Sequence, residues 1–309
     1  MISRRNIRVK VMQTLYSIEQ LNGEIKPGEP DTILAGKIEL SRQLFTYLVY
    51  FVTEVARYAE TDARQRASKH LPSASDLSVN TKIAGNEVLW TILEQPGFKT
   101  AVNTFKPGRD LDAELLRKLY LQLVETGEYR EYIAESSRNK KEERTILEFI
   151  FSGLLLPSED FISHVEEKFI NWDDDAEMMS QLVPGYLQKP VQYDFGDILS
   201  KDKREFARSL LHTVLEKKTM SMDLIKPKLK NWDAERIAAI DLIILQMGVC
   251  EFLYFETIPT KVTINEYIDL AKEYSTVQSG QFVNGLLDNI HKELLSQDKI
   301  HKKNFRDAG

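Results

Sequence analysis

Four cationic side chains, Arg4, Arg5, Arg8 and Lys10, crowd the first ten residues with no acid among them, and Tyr16 follows six places later. Guanidinium groups contact phosphates or stack on splayed bases, and a tyrosine face can stack on one base, so this set could hold single-stranded nucleic acid. The bland reading of the same residues is a solvated helix start with a core tyrosine. His301, Lys302, Lys303 and Arg306 make the other end locally basic as well. The formal net charge is −6, from 41 Lys+Arg against 47 Asp+Glu, which argues against a protein that coats nucleic acid through its overall charge. Anion recognition must therefore be local.

Other chemistries find little support. There is no G-x-x-x-x-G-K-[ST] loop and no G-x-G-x-x-G after a strand, so nothing cradles a nucleotide phosphate in the usual ways. The five histidines, His70, His164, His212, His291 and His301, never stand at i, i+3 or i+4 from one another, and no metal site is expected. The run Asp173-Asp174-Asp175-Ala176-Glu177 reads as carboxylates favoured by a helix dipole rather than as ligands. Serines lack a G-x-S-x-G turn, and Cys250, the single cysteine, lies in an apolar helical run where an inert buried thiol is expected. The residues favour a binding protein over an enzyme, with no cofactor.

At 309 residues and 42% hydrophobic, the chain can bury a full core and could hold two units of ordinary domain size. Its longest apolar runs, from Leu44 and from Ile237, fall short of the roughly 18 to 20 residues that a bilayer crossing needs. The N-terminus has arginines but no apolar core of a signal peptide, so a cytoplasmic home is expected.

The elements that must position these residues read as helices throughout, and the fold class expected is all-α. The first helix covers about 4–21 and is stopped by Asn22-Gly23. After the linker Lys26-Pro27-Gly28-Glu29-Pro30, a long helix runs from about 32 to 69. Shorter helices are expected at about 76–94, 110–126, 128–137, 141–154, 158–170 and 174–187, with 191–196 as a linker. Helices follow at about 202–216 and 219–230. Asp233 then suits an N-cap, with Trp232 and Ile237 as a hydrophobic staple. From there to about Phe255 the sequence is apolar nearly all round, the mark of a helix at the centre of its domain. Thr263 and Glu266 have capping-box spacing for a helix ending at Tyr274. The last helix covers about 279–295, and within it Gly285 is expected to allow close approach of another helix.

Asn-Trp-Asp occurs twice, at 171–173 and 231–233. A shift of sixty residues pairs 141–183 with 201–243 at eight identities in 43 positions, and apolar pairs such as Ile150/Leu210 and Val165/Ile225 keep the faces in phase. This is read as duplication of a three-helix unit, with chance similarity between helical stretches as the alternative. The tryptophan anchors the entry of a helix, and its polar neighbours satisfy free N–H groups there.

Two ends of the chain together resemble a known family. Arg4-Arg5-Asn6-Ile7-Arg8 with Gln13-Thr14-Leu15-Tyr16-Ser17 resembles the opening helix of the NusB transcription antitermination factors. Ile258-Pro259-Thr260-Lys261-Val262-Thr263-Ile264-Asn265-Glu266 with Leu270-Ala271-Lys272 resembles the family signature. Phe282-Val283-Asn284-Gly285-Leu286-Leu287-Asp288 resembles its last helix. The resemblance implies an all-α bundle of two small subdomains, formed here by 1–22 plus 197–295, with an inserted all-helical domain at 31–190 that could be a degenerate repeat, and a basic tail at 296–309. It implies binding of boxA-type RNA together with NusE, a small-subunit ribosomal protein, and entry into an RNA polymerase antitermination complex for rRNA synthesis.

The same resemblance implies site residues. Arg4, Arg5 and Arg8 match the arginine-rich RNA-contacting start and Tyr16 an aromatic near it; Lys10, Gln278 and Ser279 complete the expected RNA-binding set, and Asp241 matches an acidic position associated with the ribosomal-protein partner, although in so apolar a segment it could be a buried, paired carboxylate. The loop 276–281 departs from the pattern: Gln278, Gly280 and Gln281 replace an acid, a histidine and a basic residue, while Ser279 keeps its place as a helix N-cap. NusB-like domains also begin some ribosomal RNA methyltransferases, but about fifteen residues after the last helix leave no room for a cofactor-binding domain. The competing reading is a non-catalytic helical interaction scaffold that has lost RNA affinity.

Overall fold

A computed structural model describes residues 2–21, 25–193, 195, 197–229 and 237–303. Among them there is no strand. The α-helices are, in order, α1 (Arg4–Gln20), α2 (Glu29–Ala67), α3 (Ala74–Leu77), α4 (Glu87–Glu94), α5 (Pro96–Phe105), α6 (Ala113–Glu125), α7 (Gly127–Ala134), α8 (Lys140–Phe149), α9 (Glu159–Lys168), α10 (Trp172–Gln188), α11 (Lys201–Glu216), α12 (Lys218–Ile225), α13 (Ala239–Tyr254), α14 (Thr260–Tyr274) and α15 (Val277–Ser296). None is long and apolar enough to cross a membrane. The chain divides into a terminal unit, Ser3–Ile38 with Ser200–Gly309, and a central unit, Met1–Ile2 with Glu39–Leu199. The stop at Asn22-Gly23, the cap and staple at Trp232-Asp233, and Arg306 lie outside the described residues.

The terminal unit is organised by α13. Its sequence AIDLIILQMGVCEFLY has no polar face, so it needs cover on every side. α1, α11, α12, α14 and α15 supply it. Side chains of α15 and α14 press on Gly248: a Cβ there would stand 2.8 Å from Leu287 Cδ2 and 3.4 Å from Tyr267. The close-approach role expected of Gly285 is not observed, since a Cβ at that exposed position would meet nothing within 4 Å. α14 begins a turn earlier than expected, at Thr260, with Pro259 at its N-cap and no side-chain cap. α15 begins at Val277, and its N-cap is Thr276, whose hydroxyl accepts from the Ser279 N–H at 3.1 Å. Ser279 is therefore inside the helix rather than at its cap.

In the central unit the apolar side of α2 is closed by aromatic packing. Phe51 meets Phe161 of α9 at 4.9 Å between ring centroids, and Tyr58 meets Tyr120 of α6 at 5.2 Å. Residues 191–196, expected as a bare linker, carry Phe195, which stacks on Phe45 at 4.7 Å and packs edge-on to Tyr186 and Phe98. α5 was not expected, because Pro96 reads as a breaker; at the first helical position it removes no needed N–H. The helix expected at 76–94 is interrupted between α3 and α4, where Asn86 caps α4 through the N–H groups of Val88 and Leu89.

Shifted by sixty residues, α8 with the π turn Ile150–Leu155 covers α11, and α9 covers α12 with the 3-10 turn Lys226–Leu229. Burial follows the same shift. Ile146, Leu147, Ile150 and Phe151 match Phe206, Ala207, Leu210 and Leu211; Phe161, Val165 and Phe169 match Ser221, Ile225 and Leu229; all are buried. In the first copy Asn171 makes no side-chain cap. Its amide instead donates to Asp175 at 2.7 Å, where the Ser41 hydroxyl also donates at 2.7 Å, which accounts for one acid of the Asp173–Glu177 run.

Candidate functional site

Glu251, one turn from the end of α13, is wholly buried in the terminal unit. A buried carboxylate must be answered by charge and hydrogen bonds. Arg8 of α1 answers it with two of its donors, Nε to Oε2 at 2.9 Å and Nη2 to Oε1 at 2.8 Å. Thr263 Oγ1 donates to Oε1 at 2.7 Å and the Tyr267 hydroxyl to Oε2 at 3.1 Å, both from α14. Glu266 stands 3.4 Å from the remaining side of Arg8. Burial draws the Arg8 pKa down, but the bonds to Glu251 and the fields of Tyr267, Glu251 and Glu266 outweigh it and hold the guanidinium above its usual value. Burial, reinforced by the charge of Glu251, lifts Tyr267 well above the phenol range and keeps it a donor.

This pair ties the first helix to α13 and α14. Thr263 and Glu266, spaced like a capping box, face Glu251 and Arg8 instead of the helix start. Lys302, in the basic tail, donates from Nζ to the carbonyls of Glu251 and Phe255 at 2.8 Å each and so closes the C-terminal end of α13. Carbonyls at a helix end carry partial negative charge that suits an ammonium group. Burial lowers the Lys302 pKa, and the carboxylates of Glu251 and Glu256 oppose that.

The residues singled out in α1 thus divide. Arg8 is 2% exposed and Lys10 is 3% exposed, so both are inside. Arg4 is exposed, with its guanidinium carbon 5.4 Å from the centre of the Phe206 ring. Arg5 is about one-third exposed and is bridged to α14 at Glu273 (2.9 Å) and Asp269 (3.9 Å). Tyr16 is 42% exposed. Eleven helical residues separate it from Arg5, a rotation close to three full turns, so both project from one side of α1, about 16 Å apart along its axis. Glu273 lies at the end of α14, five residues before the exposed Gln278, so Arg5 stands where α14 gives way to α15; residues 277–281, expected as a loop, form the first turn of α15 behind its Thr276 cap. Ser279, expected at the RNA, is instead buried and donates to Asp241 Oδ2 at 2.9 Å, so its hydroxyl faces inward. Asp241 is itself 6% exposed, and its Oδ1 has no hydrogen-bond partner among the described residues.

Glu251 and Tyr267 escaped the sequence reading, and Lys302 entered it only as one charge of a basic tail. The available signal was Glu251 itself, a lone acid near the end of an otherwise apolar run, which demands a buried cation somewhere in the chain. Among the described residues no group of His, Cys, Asp and Glu could hold a metal ion. Cys250 makes no disulfide, and burial pushes its thiol up to about 12, the inert state expected of it.

Residues 186–292 match the NusB family model. The transcription antitermination protein NusB of Salinibacter ruber is 37% identical over 130 residues, covering 42% of this chain and 76% of that protein. The protein of the same name from Methylacidiphilum infernorum is 42% identical over 101 residues, 33% of this chain and 70% of its own. A solved structure of T. maritima NusB is matched at 31% identity over 40% of this chain and 84% of that one, with a TM-score of 0.29. The matched part includes α11 to α15, where the Arg8 partners Glu251 and Glu266 reside, and with three-quarters of the Salinibacter protein covered at such identity, the chain belongs to the NusB family.

Proposed function

We propose that this protein is a non-catalytic transcription antitermination factor that binds boxA-type single-stranded RNA together with NusE, the small-subunit ribosomal protein, and joins an RNA polymerase antitermination complex for rRNA synthesis. The observation that carries the reading is the Arg8–Glu251 pair, because it holds a cationic helix start beside α14 and leaves Arg4 and Tyr16 exposed and Arg5 partly so, bridged to Glu273. Pre-organised guanidinium groups lose little freedom on meeting a phosphate, and an exposed tyrosine offers a face to an unstacked base. In this reading Arg4 and Arg5 contact the strand, Tyr16 stacks, Gln278 flanks the path, and Arg8 and Lys10 position the helix from within. Asp241 and Ser279 set the end of α13 that receives NusE.

Filter binding of a boxA-type RNA, with and without NusE, tests this directly. Retention that strengthens with NusE and is lost in Arg4→Ala/Arg5→Ala supports it. A second reading, a helical interaction scaffold without RNA affinity, is favoured by one observation: two of the four basic residues at the start are buried and the first turn of α15 around Gln278 lacks a basic residue. NusE binding without any RNA retention at low salt would select it.

A further inference from the structure

The central unit carries 18 Lys+Arg against 27 Asp+Glu, a formal charge of −9, whereas the terminal unit carries 23 against 20. In so acidic a unit cations should find carboxylates readily, and many do: Arg66 pairs with Asp62, Arg130 with Glu125 and Arg138 with Glu143. Lys140, Arg144 and Lys189 do not. None of them forms an ion pair among the described residues, yet all three line one cavity of about 270 Å³ between α4, the start of α8 and the end of α10. Arg144, one of the lining residues, has a buried Nε with no hydrogen-bond partner among the described residues. A buried charged donor left unanswered costs free energy that a ligand acceptor would recover.

We propose that this cavity binds a small phosphate-bearing molecule. Three cations face one acid, Glu87, which leaves a formal charge of +2. That matches a phosphomonoester, near −2 at neutral pH, better than a carboxylate. The nearby Glu143 carboxylate is turned inward, where Arg138, the Tyr132 hydroxyl and the Glu87 N–H occupy it. Arg144 supplies the planar donor fork suited to phosphate oxygens, while Lys140 and Lys189 act as mobile point charges. Val88 and Pro190 give the cavity an apolar wall. Its volume lies at the lower edge of small-molecule sites, which leaves room for a phosphate on a sugar-sized body. The lining residues all belong to the central unit, and the assignment does not rest on RNA binding by the terminal unit.

Calorimetry on the full chain, with inorganic phosphate, pyrophosphate, ribose 5-phosphate and acetate as separate titrants, tests the assignment. One-to-one binding of ribose 5-phosphate is expected, weakened about tenfold or more in Arg144→Gln and also weakened in Lys189→Gln, an end-of-helix position where folding should be spared. Thermal unfolding of each variant without titrant separates lost binding from lost structure. The assignment is overturned if no phosphate compound binds, if acetate binds as well as ribose 5-phosphate, or if both folded variants bind as the parent does. Loss of a single-stranded oligonucleotide in Arg144→Gln, with no binding of ribose 5-phosphate by the parent, would put RNA in the cavity and equally overturn it.

Discussion

Replacing Glu251 by glutamine keeps the shape of the side chain and removes the charge on which four donors converge. Nε and Nη2 of Arg8, Thr263 Oγ1 and the Tyr267 hydroxyl all point at its two oxygens. Glutamine offers one oxygen and one NH₂, and the NH₂ is itself a donor facing donors, so at least two partners are stranded. Each stranded buried donor costs about 1–3 kcal/mol, and removing one member of a buried ion pair costs about 3–5 kcal/mol. We therefore expect Glu251→Gln to lower the opening free energy of α13 by about 3–5 kcal/mol. Because the chain has two units and could unfold in steps, the measurement is native-state hydrogen exchange on peptides from 239–254, which reports that helix whatever the central unit does. The double change Arg8→Met/Glu251→Leu should be less costly than Glu251→Leu alone, since no unpaired guanidinium is left inside. A loss below about 1 kcal/mol for Glu251→Gln, or a double variant as unstable as the single, would refute the view that this pair is the joint between α1 and the last helices.

The exposure of the α1 cations predicts the salt dependence of RNA binding. If Arg4 and Arg5 contact phosphates and Arg8 does not, Arg4→Ala and Arg5→Ala should each flatten the slope of log K against log salt by about 0.7, while Arg8→Lys leaves the slope unchanged; a flatter line in Arg8→Lys would be against it. Gly285→Ala should stabilise the terminal unit by about 0.5–1 kcal/mol, because the position is open and alanine is the better helix former, whereas Gly248→Ala should destabilise it by about 1 kcal/mol or more as Leu287 is displaced; both are read by urea unfolding. Cys250, with its thiol pushed up to about 12, should resist an aromatic disulfide reagent at pH 8 until denaturant is added, and rapid native labelling would contradict its placement.

The helix string was legible because it rests on periodicity, a property of each segment alone. α1, α2, α9, α11 and α15 fall within about three residues of the spans expected from their apolar spacing, and the buried character of α13 follows from its lack of a polar face. What was not legible is partnership across the chain. The Thr263-x-x-Glu266 spacing is shared by a capping box and by two side chains one helical turn apart on the same face, and nothing local distinguishes them. Only the arrival of Arg8, more than 240 residues away in sequence, turns the pair toward Glu251 rather than the helix start. Glycine misled for the same reason: Gly285 and Gly248 both lie inside helices, and which one faces a neighbour depends on how α15 rotates against α13. The candidate site was half readable on the same logic. Cationic residue types at the start of α1 advertise anion binding, but helical geometry divides Arg4, Arg5, Arg8 and Lys10 between outside and inside, and the buried Arg8 is fixed by Glu251, whose own cost of burial demands it. A carboxylate within an apolar run is thus a statement about a distant cation, and in this chain Asp241 makes the same demand at the other end of α13, met on one oxygen by Ser279.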